Sequence, residues 1–425
     1  MLHPIWNPFS KYADGFEKKV DRLLRSSNVM GIFEAQRRVS ELMQEDVIKL
    51  NLWLEARFKG YRYLSRGARK RMYANTEART EEFKRYVATA TVHEEAIIAN
   101  LKHLELPIPS LPGDMDRIRW IVAIMGFLAP GGGRFEYLVG ASFGKLLTDP
   151  RKKQKMIGDC NQIVTYYVYL YSLRFPVTDL EIKLPKDHVC LNFKGLDIEA
   201  TAGAFANYNE VKKTLPISEL ISTNLLDVSD FRDKQLEISA RDFLNASELA
   251  FNLSSERELV VKNLRAACHN VAVDALNGND YETAEFFAQK LGTQTAEDQA
   301  LIGTIYHNAI IYFVKEHKFS KARYYLGKSN EGEMRRYIDE QEGAYEFEHG
   351  SLSKARELFR SAGNLDMVKA TYGKEYNQIQ ARVAGLRDLE TMKSHRSDYE
   401  KMLDLARKME DSSLAENISK ILNQL

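Results

Sequence analysis

In a chain that otherwise follows helical periodicity, the segment from His188 to Thr201 alternates with a period of two, and this alternation constrains the fold more than any other feature. A two-residue turn at Lys194-Gly195 joins His188–Phe193 to Leu196–Thr201 as a hairpin. Facing residues are then Asn192 with Asp197, Cys190 with Glu199 and His188 with Thr201. Val189, Leu191, Phe193, Leu196, Ile198 and Ala200 share one wholly apolar face, which must lie on a core. His188, Cys190, Asn192, Asp197, Glu199 and Thr201 share the other. A slip of one residue would mix the two faces, so the parity is well specified.

The polar face brings a histidine and a carboxylate together. In this register Glu199 lies diagonal to His188, roughly 7–8 Å away along the backbone, a gap that long side chains bridge. Asp197 is two residues further along the strand, about 6–7 Å more distant. Glu199 is therefore the preferred partner of His188. Asp197 is the second choice, because a two-residue shift of register would bring it to the diagonal position.

The third member of the constellation precedes a nearly all-round apolar stretch, Asn161 to Arg174, which reads as a buried helix. Cys160 stands at or just before its first residue. A helix N-terminus lowers a thiol pKa through its unpaired amides and its dipole, and the same amides suit a developing oxyanion. Thiol acyl-transfer chemistry needs this set: a nucleophile, an imidazole to activate it and a third group to orient the imidazole. Cys160, His188 and Glu199, with Asp197 held in reserve, are the candidate catalytic residues. Cys190 and Cys268 read as structural residues of a strand and a helix.

These residues resemble the core of the transglutaminase-like, papain-related superfamily. The resemblance rests on Gly158-Asp159-Cys160-Asn161-Gln162, the apolar helix after it, His188-Val189-Cys190-Leu191 and Ile198-Glu199-Ala200-Thr201. It implies a small antiparallel-sheet core with the nucleophile at a helix start, the histidine on a following element and the acid on the next strand. The family's last motif often reads Asp-Pro-Thr; this chain has Glu199-Ala200-Thr201, which aligns Glu199 with the acid. The resemblance spans roughly Phe135 to Gly203. It is closest to a bacterial branch that joins this core to tetratricopeptide-type repeats, some members of which have lost the cysteine and serve as scaffolds.

A repeat is visible beyond Leu236. Asn279-Asp280-Tyr281-Glu282-Thr283-Ala284, His317-Lys318-Phe319-Ser320-Lys321-Ala322 and Gly350-Ser351-Leu352-Ser353-Lys354-Ala355 each place an alanine three residues after an aromatic or leucine. The alanines are 38 and 33 residues apart. Twelve residues before them stand Ala272, Ile310 and Gly343, two of them the small residues that closely packed helices need. This resembles the tetratricopeptide period of about 34 residues. Arg396 to Met409 reads as a further helix.

The remaining segments bound the answer. At 425 residues the chain exceeds the size of one core. It divides into a helical region over 1–112, the transglutaminase-like core over 113–225 and a helical repeat domain over 226–425. The expected class is α+β, a mostly helical chain around a small sheet. Phe16 to His103 carries apolar stripes at helical spacing, including Val20, Leu23 and Leu24. Leu106 to Asp114 is a proline-rich break, with Asp114 as the expected cap of the next helix. Trp120 to Pro130 is the most apolar run but is half the length a bilayer needs, so it reads as a core helix. Pro130-Gly131-Gly132-Gly133 is a loop, Phe135 to Leu147 a helix, and Val177 to Leu184 a strand.

Between Arg57 and Arg85 stand ten Lys or Arg residues against three Glu, with Tyr61, Tyr63 and Tyr73 among them. The pattern reads as a solvated helical face with inward tyrosines, and nucleic acid is not expected as a partner. A net charge of +1 supports neither nucleic acid nor an anionic membrane surface as a target. Three cysteines without a CxxC pair exclude a disulfide framework and a zinc finger. His93-Glu94-Glu95-Ala96-Ile97 lacks the second histidine of a zinc-protease helix. No cofactor or metal is expected. Met1 to Pro8 lacks the character of a secretory signal, so a reducing, cytoplasmic setting is expected. The expected activity is that of a cysteine protease, amidase or transamidase, with a protein or peptide as substrate and partner. The alternative is a catalytically silent scaffold built from the same core and repeats.

Overall fold

The computed structural model describes residues 10–25, 30–109, 111–228, 234–292 and 295–425, so Met1–Pro8 lies outside it. The architecture is mostly helical α+β, with one five-stranded antiparallel sheet and one parallel pair. The chain forms two compact units, Met1–Val271 and Ala272–Leu425.

In the first unit, helices Gly15–Leu24, Ile32–Leu54, Arg66–Thr89 and Glu94–His103 occupy the region whose stripes are helical. Val20, Leu24, Leu42, Val47, Leu50, Leu52 and Leu54 are all buried in one continuous core. Tyr61 and Tyr73 face inward too, and Arg69 is buried against Glu17 at 2.7 Å. The basic stretch is thus partly consumed by internal pairing. The most apolar run lies in helix Pro112–Leu128, where Ile118, Ile121, Ile124, Phe127 and Leu128 are buried. Among the described residues no helix is long and apolar enough to cross a membrane.

The sheet has the order β6(Ala204–Ala206)-β5(Leu196–Glu199)-β4(Cys190–Phe193)-β3(Glu181–Lys183)-β7(Leu215–Pro216). The central hairpin pairs Leu191 with Ile198, Asn192 with Asp197 and Phe193 with Leu196, the register that a two-residue turn dictates. Lys194 and Gly195 have φ of 49° and 89°, the two positive values that a type I′ turn requires. Lys194 tolerates this while its ammonium holds Asp114 at 2.7 Å. Both faces of β4 and β5 are buried. The apolar face meets the core, and the polar face is covered by its own hydrogen-bond network.

Three local expectations are corrected. Phe135–Leu147 is not one helix: β1(Phe135–Tyr137) pairs in parallel with β2(Met156–Gly158), and only Phe143–Leu146 is helical. Gly140, at φ 69°, turns the chain between them. Asp114 is not the cap of its helix; the helix starts at Pro112 after Leu111, and Asp114 sits in the first turn, paired with Lys194. The strand expected over Val177–Leu184 is shorter, because Val177–Asp179 closes a 3-10 turn and only Glu181–Lys183 joins the sheet.

The second unit is helical throughout its described residues. Ala284, Ala322 and Ala355 are fully buried, as are Ala272 and Ile310. At Gly343 a Cβ would stand 2.9 Å from the Phe359 ring, so helices Met334–Glu348 and Leu352–Ser361 approach closely only because that position is glycine. Helix Arg396–Lys408 packs Tyr399, Met402 and Leu405 against Tyr376, Ile379 and Ile418.

Candidate functional site

Cys160 is the first residue of helix Cys160–Ser172, and β2 delivers the chain to it. A capping box fixes the entry: the Asp159 carboxylate accepts from the Asn161 amide at 3.0 Å, and Gln162 Oε1 accepts from the Asp159 amide at 2.7 Å. Gly158 lets the chain pass closely, since a Cβ there would lie 3.1 Å from Gln162 Cβ and Leu146 Cδ1. Burial raises the Asp159 carboxyl to about 7, and the nearby Asp227 adds to the shift despite the amides that stabilise the charge. Gln162 Nε2 donates to that Asp227 at 3.0 Å. Cys160 is half-buried, whereas Cys190 and Cys268 are buried; burial pushes the Cys190 thiol up to about 12.

His188 follows the turn at Pro185-Lys186-Asp187, where its amide donates to the Pro185 carbonyl at 3.1 Å and Asp187 takes a φ of 56°. His188 Nε2 lies 2.6 Å from Glu199 Oε2. The neighbouring Cys160 thiol, and then the bond to Glu199, raise the imidazole to about 10 against the opposing pull of burial. With Nε2 committed to Glu199, Nδ1 is the ring nitrogen left for the thiol. Cys160, His188 and Glu199 therefore come together, with Cys160 on a helix and His188 two residues ahead of β4, not within the strand as the alternation predicts.

Glu199 is held by more than the histidine. Its Oε1 accepts from the Thr201 amide at 2.9 Å and from the Thr201 hydroxyl, while Tyr208 Oη donates to Oε2 at 2.5 Å. Burial alone would push this carboxyl up, but the bonds from His188, Thr201 and Tyr208 outweigh it and hold it down at about 2. Tyr208 carries no sequence signal that ties it to the site. It lies nine residues beyond Glu199, after β6, and only the folded sheet brings it back. The capping box is different: Asp159 and Gln162 stand three apart before an apolar run, a spacing that the sequence displays.

Asp197 belongs to a separate network. Lys183 Nζ pairs with its Oδ2 at 2.9 Å, Asn192 Nδ2 donates to Oδ1 at 2.7 Å and the Tyr208 amide donates at 2.9 Å. Pair and partner are almost wholly buried. Asp197 thus ties β3, β4, β5 and the chain after β6 together, while Glu199 faces His188.

A cleft of about 430 Å³ opens beside Cys160 and His188. Its walls include the turn before His188 and one side of helix Glu219–Leu226. Among the described residues no group of three His, Cys, Asp or Glu side chains is arranged to hold a metal ion. Comparison with known proteins returns no matching family model, no matching curated protein and no matching solved structure.

Proposed function

We propose that this chain is a thiol enzyme acting on an amide or peptide bond, a hydrolase or acyltransferase of transglutaminase-like kind. The observation that carries the reading is the 2.6 Å contact between His188 Nε2 and Glu199 Oε2 beside the half-buried Cys160. In this mechanism the Cys160 thiolate attacks the acyl carbon, and the carbonyl electrons move onto oxygen. Asp159 occupies the Asn161 and Gln162 amides, which leaves the Cys160 amide for the developing oxyanion. The His188 imidazolium then gives its proton to the leaving amine as the C–N bond breaks, and a thioester remains. Water or a second amine gives a proton to His188 as it attacks the thioester, and the C–S bond breaks to restore the Cys160 thiolate beside the imidazolium. Glu199 holds the ring in place and balances the imidazolium charge. No step calls on a metal or cofactor. The helical pairs beyond Tyr281, read as tetratricopeptide-type repeats, serve as the partner-binding surface.

A thiol-alkylating reagent tests the reading directly. In the folded protein Cys160 is expected to label at least about tenfold faster than Cys190 or Cys268, as peptide mapping reports, with Cys160→Ala as the control. Equal labelling of all three would sink the enzyme reading and leave the core as a scaffold.

A further inference from the structure

We propose that the cleft beside Cys160 holds the cationic side chain of an arginine or lysine in the peptide substrate. The proposal deepens the reading of Cys160 as nucleophile and rests on it. Four acidic residues line the cleft, Asp187, Glu219, Asp227 and Glu256, and no Lys or Arg is among its described lining residues. The chain as a whole is balanced, with 60 Lys or Arg against 59 Asp or Glu, so this wall is a local departure.

Two of these acids, Asp187 and Glu219, form no ion pair among the described residues, and His188, the basic residue on the lining, is committed to Glu199. Glu256 is paired with Lys213 at 2.6 Å. Glu219 receives only neutral donors, the Gln36 amide at 2.5 Å and the amide and hydroxyl of Ser255 at 2.6 and 2.7 Å. The Asp227 carboxylate receives the Gln162 amide, and the buried Lys59 ammonium, bonded to the Asp227 carbonyl, lies near enough to offset part of its charge. Asp187 is exposed and forms no ion pair among the described residues.

A second observation points to a ligand. Helix Glu219–Leu226 turns Glu219, Ser222, Thr223 and Leu226 toward the cleft at helical spacing. Ser222 is 2% exposed and its Oγ has no hydrogen-bond partner among the described residues. A buried hydroxyl without a partner is rare because its desolvation is not repaid. An N–H donor entering between Ser222 and the acids would satisfy it. The walls also carry Leu184, Leu226 and Leu259. Apolar wall residues beside the acids suit a side chain with a methylene stem and a charged head.

Two fluorescent peptides that differ only in arginine against citrulline, its neutral isostere, test the proposal by anisotropy on the full-length Cys160→Ala protein. The arginine peptide is expected to bind about tenfold more tightly, with the preference shrinking as salt is raised. Asp187→Asn, which keeps a residue tolerant of positive φ, is expected to cut the preference by about threefold. Equal affinities for the two peptides, no saturable binding of either, or a preference untouched by Asp187→Asn overturns the cleft assignment. If selective alkylation of Cys160 persists in that case, the cleft assignment alone falls. If alkylation is unselective while the arginine preference stands, the nucleophile reading alone falls.

Discussion

At the scale of single residues, the two neighbouring acids of β5 have separable duties. Glu199→Gln keeps the shape of the site but removes the charge that orients His188, so thiol acylation is expected to fall by about a hundredfold in a stopped assay with an activated ester. Its effect on the urea midpoint is expected to be comparable to that of Asp197→Asn, because the bonds from His188, Thr201 and Tyr208 that hold the carboxylate are lost with its charge. Asp197→Asn strands the buried Lys183 ammonium and is expected to cost about 3 kcal/mol, read from the same denaturation curve, with alkylation of the remaining folded protein little changed. The histidine adds a pH signature. Its folded pKa is raised to about 10 from an ordinary 6.5, so the stability it contributes is complete below about 6.5 and is lost as pH rises toward 10. His188→Gln should therefore narrow its stability gap to the parent protein across that window, as melts in a pH series would show. The choice of Glu199 over Asp197 as partner of His188 was legible from the hairpin register, which needs only the position of one turn; parity alone leaves both acids on one face. Tyr208 was not, because its approach depends on a strand and loop whose path no local pattern encodes.

At the scale of elements, what could be read depended on whether neighbours or local chemistry decide the outcome. Helix Cys160–Ser172 is declared by its own apolar run and cap spacing. The stretch from Phe135 to Leu147 has equally apolar residues, yet its first part became a strand because β2 lies alongside, and Gly140 interrupted the rest. Pairing between segments some twenty residues apart is invisible to a periodicity argument. The glycine at 343 shows the converse, a small residue whose spacing announced a close helix crossing. Gly343→Ala is expected to push Phe359 aside and cost about 1–3 kcal/mol, measured as a lower melting temperature.

At the scale of the whole molecule, the chain divides at Val271, inside helix Arg257–Asn277, a place with no proline, glycine or composition change to mark it. Linkers are legible in sequence when they break helices, and this boundary does not. Each unit has its own buried clusters: Tyr376, Tyr399 and Met402 in one, Ile163, Leu191 and Ile198 in the other. Asp197→Asn is thus expected to speed hydrogen exchange in the sheet while leaving protection in helices Leu365–Val383 and Arg396–Lys408 unchanged. A uniform loss of protection across both would overturn that independence.

The Lys194-Gly195 turn also sets how easily the proposed site would be lost over generations. Deleting one residue there leaves Cys160, His188 and Glu199 intact in the gene, yet points Glu199 into the apolar layer and takes the carboxylate from the imidazole. A descendant could keep all three letters and lose the chemistry. In variants of this chain, the length of that hairpin turn therefore decides more directly whether His188 and Glu199 meet than the presence of either residue does.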